Sequence, residues 1–152
     1  MDIKVRKRSY DIDESIVIAF EKKHNLRIPD QYHQFLIQYN VASVKPFYFF
    51  IKHVNDIKPN DSTNDELGVF FGFARADDPE WDLEWHMDIY VDSGRLSTDF
   101  LPIAADGAGN PICIGVADAV YGKIFIWWHE KENDLTCLAD DFDSFLNSLR
   151  DD

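Results

Sequence analysis

Residues 106–110, Asp-Gly-Ala-Gly-Asn, lie between two apolar runs, 101–104 and 111–116, and pose the first chemical question. Two glycines in a polar loop can bring backbone N–H groups close to an anion, as phosphate-binding loops do. A dinucleotide fingerprint, however, needs a third glycine where Ile112 stands, followed by a helix. Pro111 instead opens a β-branched run, Ile112-Cys113-Ile114, that reads as strand. Gly122-Lys123 fails as a Walker loop, because Ala117 replaces its first glycine and Ile124 its Ser or Thr. The loop therefore reads as a tight connection between adjacent strands, with Gly or Asn taking positive φ.

The other reactive side chains are scattered. The five histidines (24, 33, 53, 86 and 129) show no metal-binding spacing. Glu84, His86 and Asp88 would share a face only in a strand, where a solvated polar face is the stronger reading than a metal site. Asp11-Ile12-Asp13 starts like a calcium loop, but Ile16 and Lys22 occupy its sixth and twelfth positions. Cys113 and Cys137 read as free thiols acting as small buried hydrophobes. No G-x-S-x-G is present, and Asn60-Asp61-Ser62 is a glycosylation sequon in spelling alone. No catalytic residue, metal site or cofactor is expected.

Charge is the stronger signal. Fifteen Lys and Arg against twenty-eight Asp and Glu leave a net −13, a surface that repels nucleic acid and anionic lipid and attracts cationic partners. Solubility alone is the competing explanation. Part of the excess is local: Asp77, Asp78, Glu80, Asp82 and Glu84 surround Trp81 within eight residues. Lys4, Arg6, Lys7 and Arg8 gather at the other end of the chain.

The elements that must position these groups follow from periodicity. At 152 residues, with 45% apolar and 14% aromatic content, the chain reads as one domain (1–152) with a bulky core to which twelve Phe contribute. No apolar run nears the roughly 20 residues needed to span a bilayer, and the N-terminus lacks a signal-peptide core, so a cytoplasmic protein is expected. A helix should begin after Asp13, burying Ile16, Val17 and Phe20. A second follows Pro29, with Tyr32, Phe35, Leu36 and Tyr39 at i, i+3, i+4 and i+7. Residues 46–51 and 68–73 read as strands and 55–66 as a polar loop. Further strands are expected at 101–104, 111–116 and 123–129. A final helix capped by Asp140 would bury Phe142, Phe145, Leu146 and Leu149. Over 81–92 strand alternation and helical spacing conflict, and Trp127-Trp128 suits a core or a surface ledge equally. Helices, strands and a closing helix without a repeated βα unit predict an α+β fold: a mainly antiparallel sheet flanked by N-terminal helices and a C-terminal helix.

The blocks "IPDQYHQFLIQYN", "FFGF", "LPIAADGAGNPICIGV", "GKIFIWWHE" and "LADDFDSFLNSL" resemble, in order, those of the SUKH superfamily. That group includes the yeast cell-wall glucan-synthesis regulator and many small bacterial immunity proteins. The likeness runs from about Ile28 to Leu149. It rests most on Leu101-Pro102-Ile103, Gly109-Asn110, Gly122, Trp127-x-His129-Glu130 and the terminal helix. Val41 stands after Asn40 where the family commonly has glycine, which suggests a different helix exit, and Trp128 stands where an Asp often follows Trp127. The resemblance implies an α+β fold, a helix near residues 82–90, and no catalysis. It further implies an immunity protein that neutralises a partner toxin, often a nuclease. A regulatory interaction scaffold tied to cell-wall synthesis is the alternative; it would be expected to carry long flanking disordered segments, of which this sequence has almost none. The family transfers no catalytic residues, so the expected contact surface rests on charge and exposure. It comprises Asp77, Asp78, Glu80, Trp81, Asp82 and Glu84, facing a basic toxin domain and neither nucleic acid nor membrane.

Overall fold

The structure is a computed structural model that describes residues 3–52 and 62–151. Helix α1 spans Glu14–His24, and its N-cap Asp13 accepts Ser15 N at 3.0 Å, a bond that with the Ser15 hydroxyl lowers the Asp13 carboxyl below its usual range. Helix α2 (Asp30–Tyr39) follows Pro29 and buries Tyr32, Phe35 and Leu36, the stripe expected from its spacing. It ends on Asn40, which takes φ 58° itself and donates its N–H to Leu36 O at 2.8 Å. Asn tolerates this left-handed turn better than most side chains, so Val41 can follow without a glycine. The Asn40 amide is buried, donating to Tyr10 O (2.9 Å) and Phe73 O (2.8 Å) and accepting from Phe73 N (2.7 Å). This helix exit fixes three segments at once.

Eight strands are present among the described residues. β1 (Lys4–Lys7) pairs with β2 (Ala42–Lys45), and β3 (Tyr48–Lys52) pairs with β4 (Ser62–Glu66). β5 (Phe100–Ala105), β6 (Pro111–Gly115), β7 (Ile124–Trp127) and β8 (Leu135–Ala139) form an antiparallel four-stranded sheet in chain order. Residues 68–73, expected as a strand, form no ladder and make isolated bridges from Phe70 to Ala42 and from Gly72 to Asp82. Phe70 exchanges hydrogen bonds with Ala42, while Gly68 N and Phe71 N donate to Ala105 O (2.8 Å) and Ile103 O (2.7 Å). The segment thus joins the β1–β2 pair to the large sheet. Its side chains alternate: the Phe70 ring meets Tyr32, Phe35 and Phe142, whereas Phe71 stacks on His86 at 3.7 Å. The fold is α+β, with N-terminal helices and a closing helix α4 (Phe142–Asn147).

Three expectations need correction, and one left open is decided. Residues 62–66 are strand β4 rather than loop, held by backbone pairing to β3 despite their polarity; 55–61 lie outside the described residues. Asp141, not Asp140, caps α4, accepting Ser144 N at 2.7 Å. Cys137 is exposed on β8 rather than buried, while Cys113 is buried on β6. Trp127 and Trp128 divide: Trp127 is fully buried with Nε1 donating to Lys131 O, and Trp128 is half-buried with Nε1 donating to Thr136 Oγ1. The disputed stretch is helical. A short helix α3 (Leu83–His86) runs into a π-helical turn (Met87–Val91) and buries Leu83, His86, Met87 and Val91.

Candidate functional site

The glycine loop binds itself. The Asp106 carboxylate accepts Ala108 N (2.9 Å), Asn110 N (2.7 Å) and Asn110 Nδ2 (3.0 Å). Gly107 N donates to Glu66 O and Gly109 N to Asp106 O, with Gly109 at φ 86°. The N–H groups that a phosphate would need are already bonded, so the loop is a turn. Asn110 Oδ1 in turn meets His129 Nδ1 at 2.7 Å, tying the β5–β6 turn to the end of β7. The sequence reading missed one feature here. Asp65 on β4 hydrogen-bonds Asp106, and burial with that bond raises its carboxyl to about 7. Nothing in the local sequence marks it, because the two carboxylates are 41 positions apart and meet only through the fold.

The acidic segment is built differently from one end to the other. Pro79–Trp81 forms a single 3-10 turn, tightened by Asp78 N on Arg75 O (2.9 Å) and Trp81 N on Asp78 O (3.1 Å). Asp77 and Glu80 are exposed, and Asp78 and Trp81 are half-buried. Asp82 is a bracket: Oδ1 accepts Ala74 N at 3.1 Å and Oδ2 accepts Trp85 N at 3.2 Å, capping α3. Glu84 ties α3 to α1, meeting His24 Nε2 at 3.0 Å and Lys23 Nζ at 3.3 Å. The six expected contact residues therefore split into an outward group (Asp77, Asp78, Glu80 and Trp81) and two that anchor the framework. Trp85, not singled out from the sequence, is 39% exposed next to them.

Glu84, His86 and Asp88 do not converge, since α3 buries His86 and the following π-helical turn exposes Asp88. Among the described residues no group of three metal-ligating side chains assembles. The His86 Nε2 bonds Glu80 O at 2.9 Å, its ring lies on Phe71, and its Nδ1 is buried without a partner. Burial lowers its pKa, so the ring is held neutral, as a packing piece behind the acidic turn.

The basic N-terminal residues, remote in sequence, come back beside this turn. Arg6, Arg8 and Tyr10 line an open groove of about 450 Å³ together with Arg75, Asp78 and Trp81 of the acidic turn. No helix among the described residues is long and apolar enough to cross a membrane.

The fold is an α+β frame whose β5–β6 turn is closed by internal hydrogen bonds. Residues 11–148 match the model of the SMI1 / KNR4 family (SUKH-1), and the chain belongs to that family. It is also 31% identical over 91 residues to the SPbeta prophage-derived uncharacterized protein YokK of Bacillus subtilis (strain 168). That stretch is 58% of this chain and 45% of the relative, so the match spans less than half the relative's length. Several residues that carry the family likeness have architectural work in the structure. Asn110 and His129 bond one another, Gly109 and Gly122 take positive φ, and a Cβ on Gly115 would lie 2.0 Å from Val120 O.

Proposed function

We propose that the chain is a non-catalytic immunity protein that binds and neutralises a partner toxin in the cytoplasm. The observation that carries this reading is the acidic turn: Asp77 and Glu80 are exposed and Asp78 half-buried beside Trp81 and Trp85, on a frame held by Asp82 and Glu84. Family membership supports the immunity class, and the prophage origin in the relative's name suits a toxin–immunity setting. A basic toxin domain, such as a nuclease, is the partner that fits. A nuclease presents cations to phosphate, and carboxylates can occupy the same ground. Charge speeds encounter, while the indole rings would supply the desolvated anchors on which affinity depends.

The test is co-expression with the toxin encoded by the neighbouring gene, followed by titration of the purified pair. Binding without catalysis predicts protection that saturates at one immunity chain per toxin. Full protection at a small fraction of that ratio would indicate turnover and overturn the reading.

A further inference from the structure

The groove beside the acidic turn has the opposite sign to the molecule that carries it. On a chain of net charge −13, it assembles three guanidinium groups, Arg6, Arg8 and Arg75. Among the described residues the ion pairs engage Lys7, Lys23, His24 and His33, and none engages these three arginines. Arg8 gives one N–H to Ser43 Oγ at 3.1 Å, which leaves its other donors. Two aromatic rings complete the groove: Tyr10, 41% exposed, and the half-buried Trp81. With so many carboxylates in the chain, local pairing of these arginines was available, yet three of them remain unmatched on one groove.

We propose that this groove docks an acidic polypeptide segment. Its carboxylates would take the forked donors of Arg6 and Arg75, and its apolar side chains would lie on Trp81 and Tyr10. A guanidinium matches a carboxylate in two parallel hydrogen bonds, which a compact ammonium cannot do. Asp78, which also lines the groove, selects among polyanions. It can accept a backbone N–H from a peptide, whereas it repels a phosphate. Screening confines the attraction to about 8 Å at physiological salt, so a short acidic segment feels the arginines. A nucleic acid strand, longer than the groove, would also meet the exposed carboxylates of Asp77 and Glu80, which flank Asp78 in the chain. The groove shares Asp78 and Trp81 with the turn of the toxin reading, but the inference concerns a ligand of opposite charge and is tested without the toxin.

The probe is a short peptide of alternating glutamate and leucine, added to the isotope-labelled full chain at low salt. Trp81→Phe identifies the Trp81 indole N–H resonance. The expected result is a saturable shift of that resonance, weakened by salt and absent with a lysine–leucine peptide. Arg6→Ser and Arg75→Ser should each weaken binding roughly tenfold while melting like the parent, and Arg75→Lys should recover only part of the loss. Glu130→Ser, outside the groove, should change nothing. No shift, or a shift equal for both peptides, overturns the proposal. So does tighter binding of a thymidine oligonucleotide, which would make the groove a nucleic-acid site. A salt-sensitive dimer of the free chain that Arg6→Ser abolishes would assign the groove to a second copy and equally overturn it. None of these measurements uses the toxin, so their failure leaves the immunity reading untouched.

Discussion

At the scale of single residues, two shifted titrations oppose one another. His86 is held neutral with its pKa lowered by burial, so on acidification the unfolded chain takes up the proton first. Its contribution is present above the unfolded pKa of 6.5 and is lost as pH falls through the lower folded value. Asp65 runs the other way: its folded pKa of about 7 exceeds the unfolded 3.8, so its contribution is complete below 3.8 and lost as pH rises to about 7. Between pH 7 and 5 the two partly cancel. Asp65→Asn should therefore make the melting temperature fall more steeply on acidification than in the parent, and His86→Phe should make it fall less steeply. Parallel profiles for parent and variants, recorded by calorimetry, would show that neither group titrates on unfolding. Asn40 is the other residue with an outsized role. Asn40→Ala strips partners from Phe73 N, Phe73 O and Tyr10 O and should cost on the order of 3 kcal/mol in urea unfolding.

At the scale of elements, the aromatic seam between α2, α4 and residues 68–73 holds the layers together. Phe35 lies 5.3 Å from Phe70 and 5.2 Å from Phe142, ring to ring. Phe35→Ala should cost about 3–5 kcal/mol through lost burial and a residual cavity, and an unchanged melting curve would contradict this packing. The cysteines sit on β6 and β8 with Phe125 of β7 between them in register. Two strand spacings, roughly 9–10 Å, exceed disulfide reach, so reductant should leave stability unchanged. The helices and inner strands were legible because their apolar spacing reports a buried face: Tyr32, Phe35, Leu36 and Tyr39 on α2, Ile112 to Ile114 on β6. β1, written Lys-Val-Arg-Lys, and β4, written Ser-Thr-Asn-Asp-Glu, escaped notice for a physical reason. A strand at the margin is held by backbone bonds and favours charged side chains, so it carries no apolar signature. In residues 81–91 alternation pointed to a strand, but Asp82 capping Trp85 N starts a helix that period-2 counting does not see.

At the scale of the whole molecule, the fold divides the acidic segment between framework and surface. Of the six residues expected from sequence to meet a partner, the chain retains Asp82 and Glu84 for its own frame, and presents Asp77, Asp78, Glu80 and Trp81. The sequence could not make this division, because capping and the α1–α3 tie depend on Ala74, Lys23 and His24 arriving from elsewhere. Charge of this kind acts at a distance, and its signature is kinetic. The direct test is the association rate with the cognate toxin, measured by stopped flow across a range of salt, for the parent and for Asp78→Lys with Glu80→Lys. The account predicts a fast, strongly salt-dependent rate for the parent, toward about 10⁸ M⁻¹s⁻¹ at low salt. The double variant, melting like the parent, should associate more slowly and with a flatter salt dependence. Association at the parental rate and salt slope would contradict the claim that this turn is the face that meets the toxin.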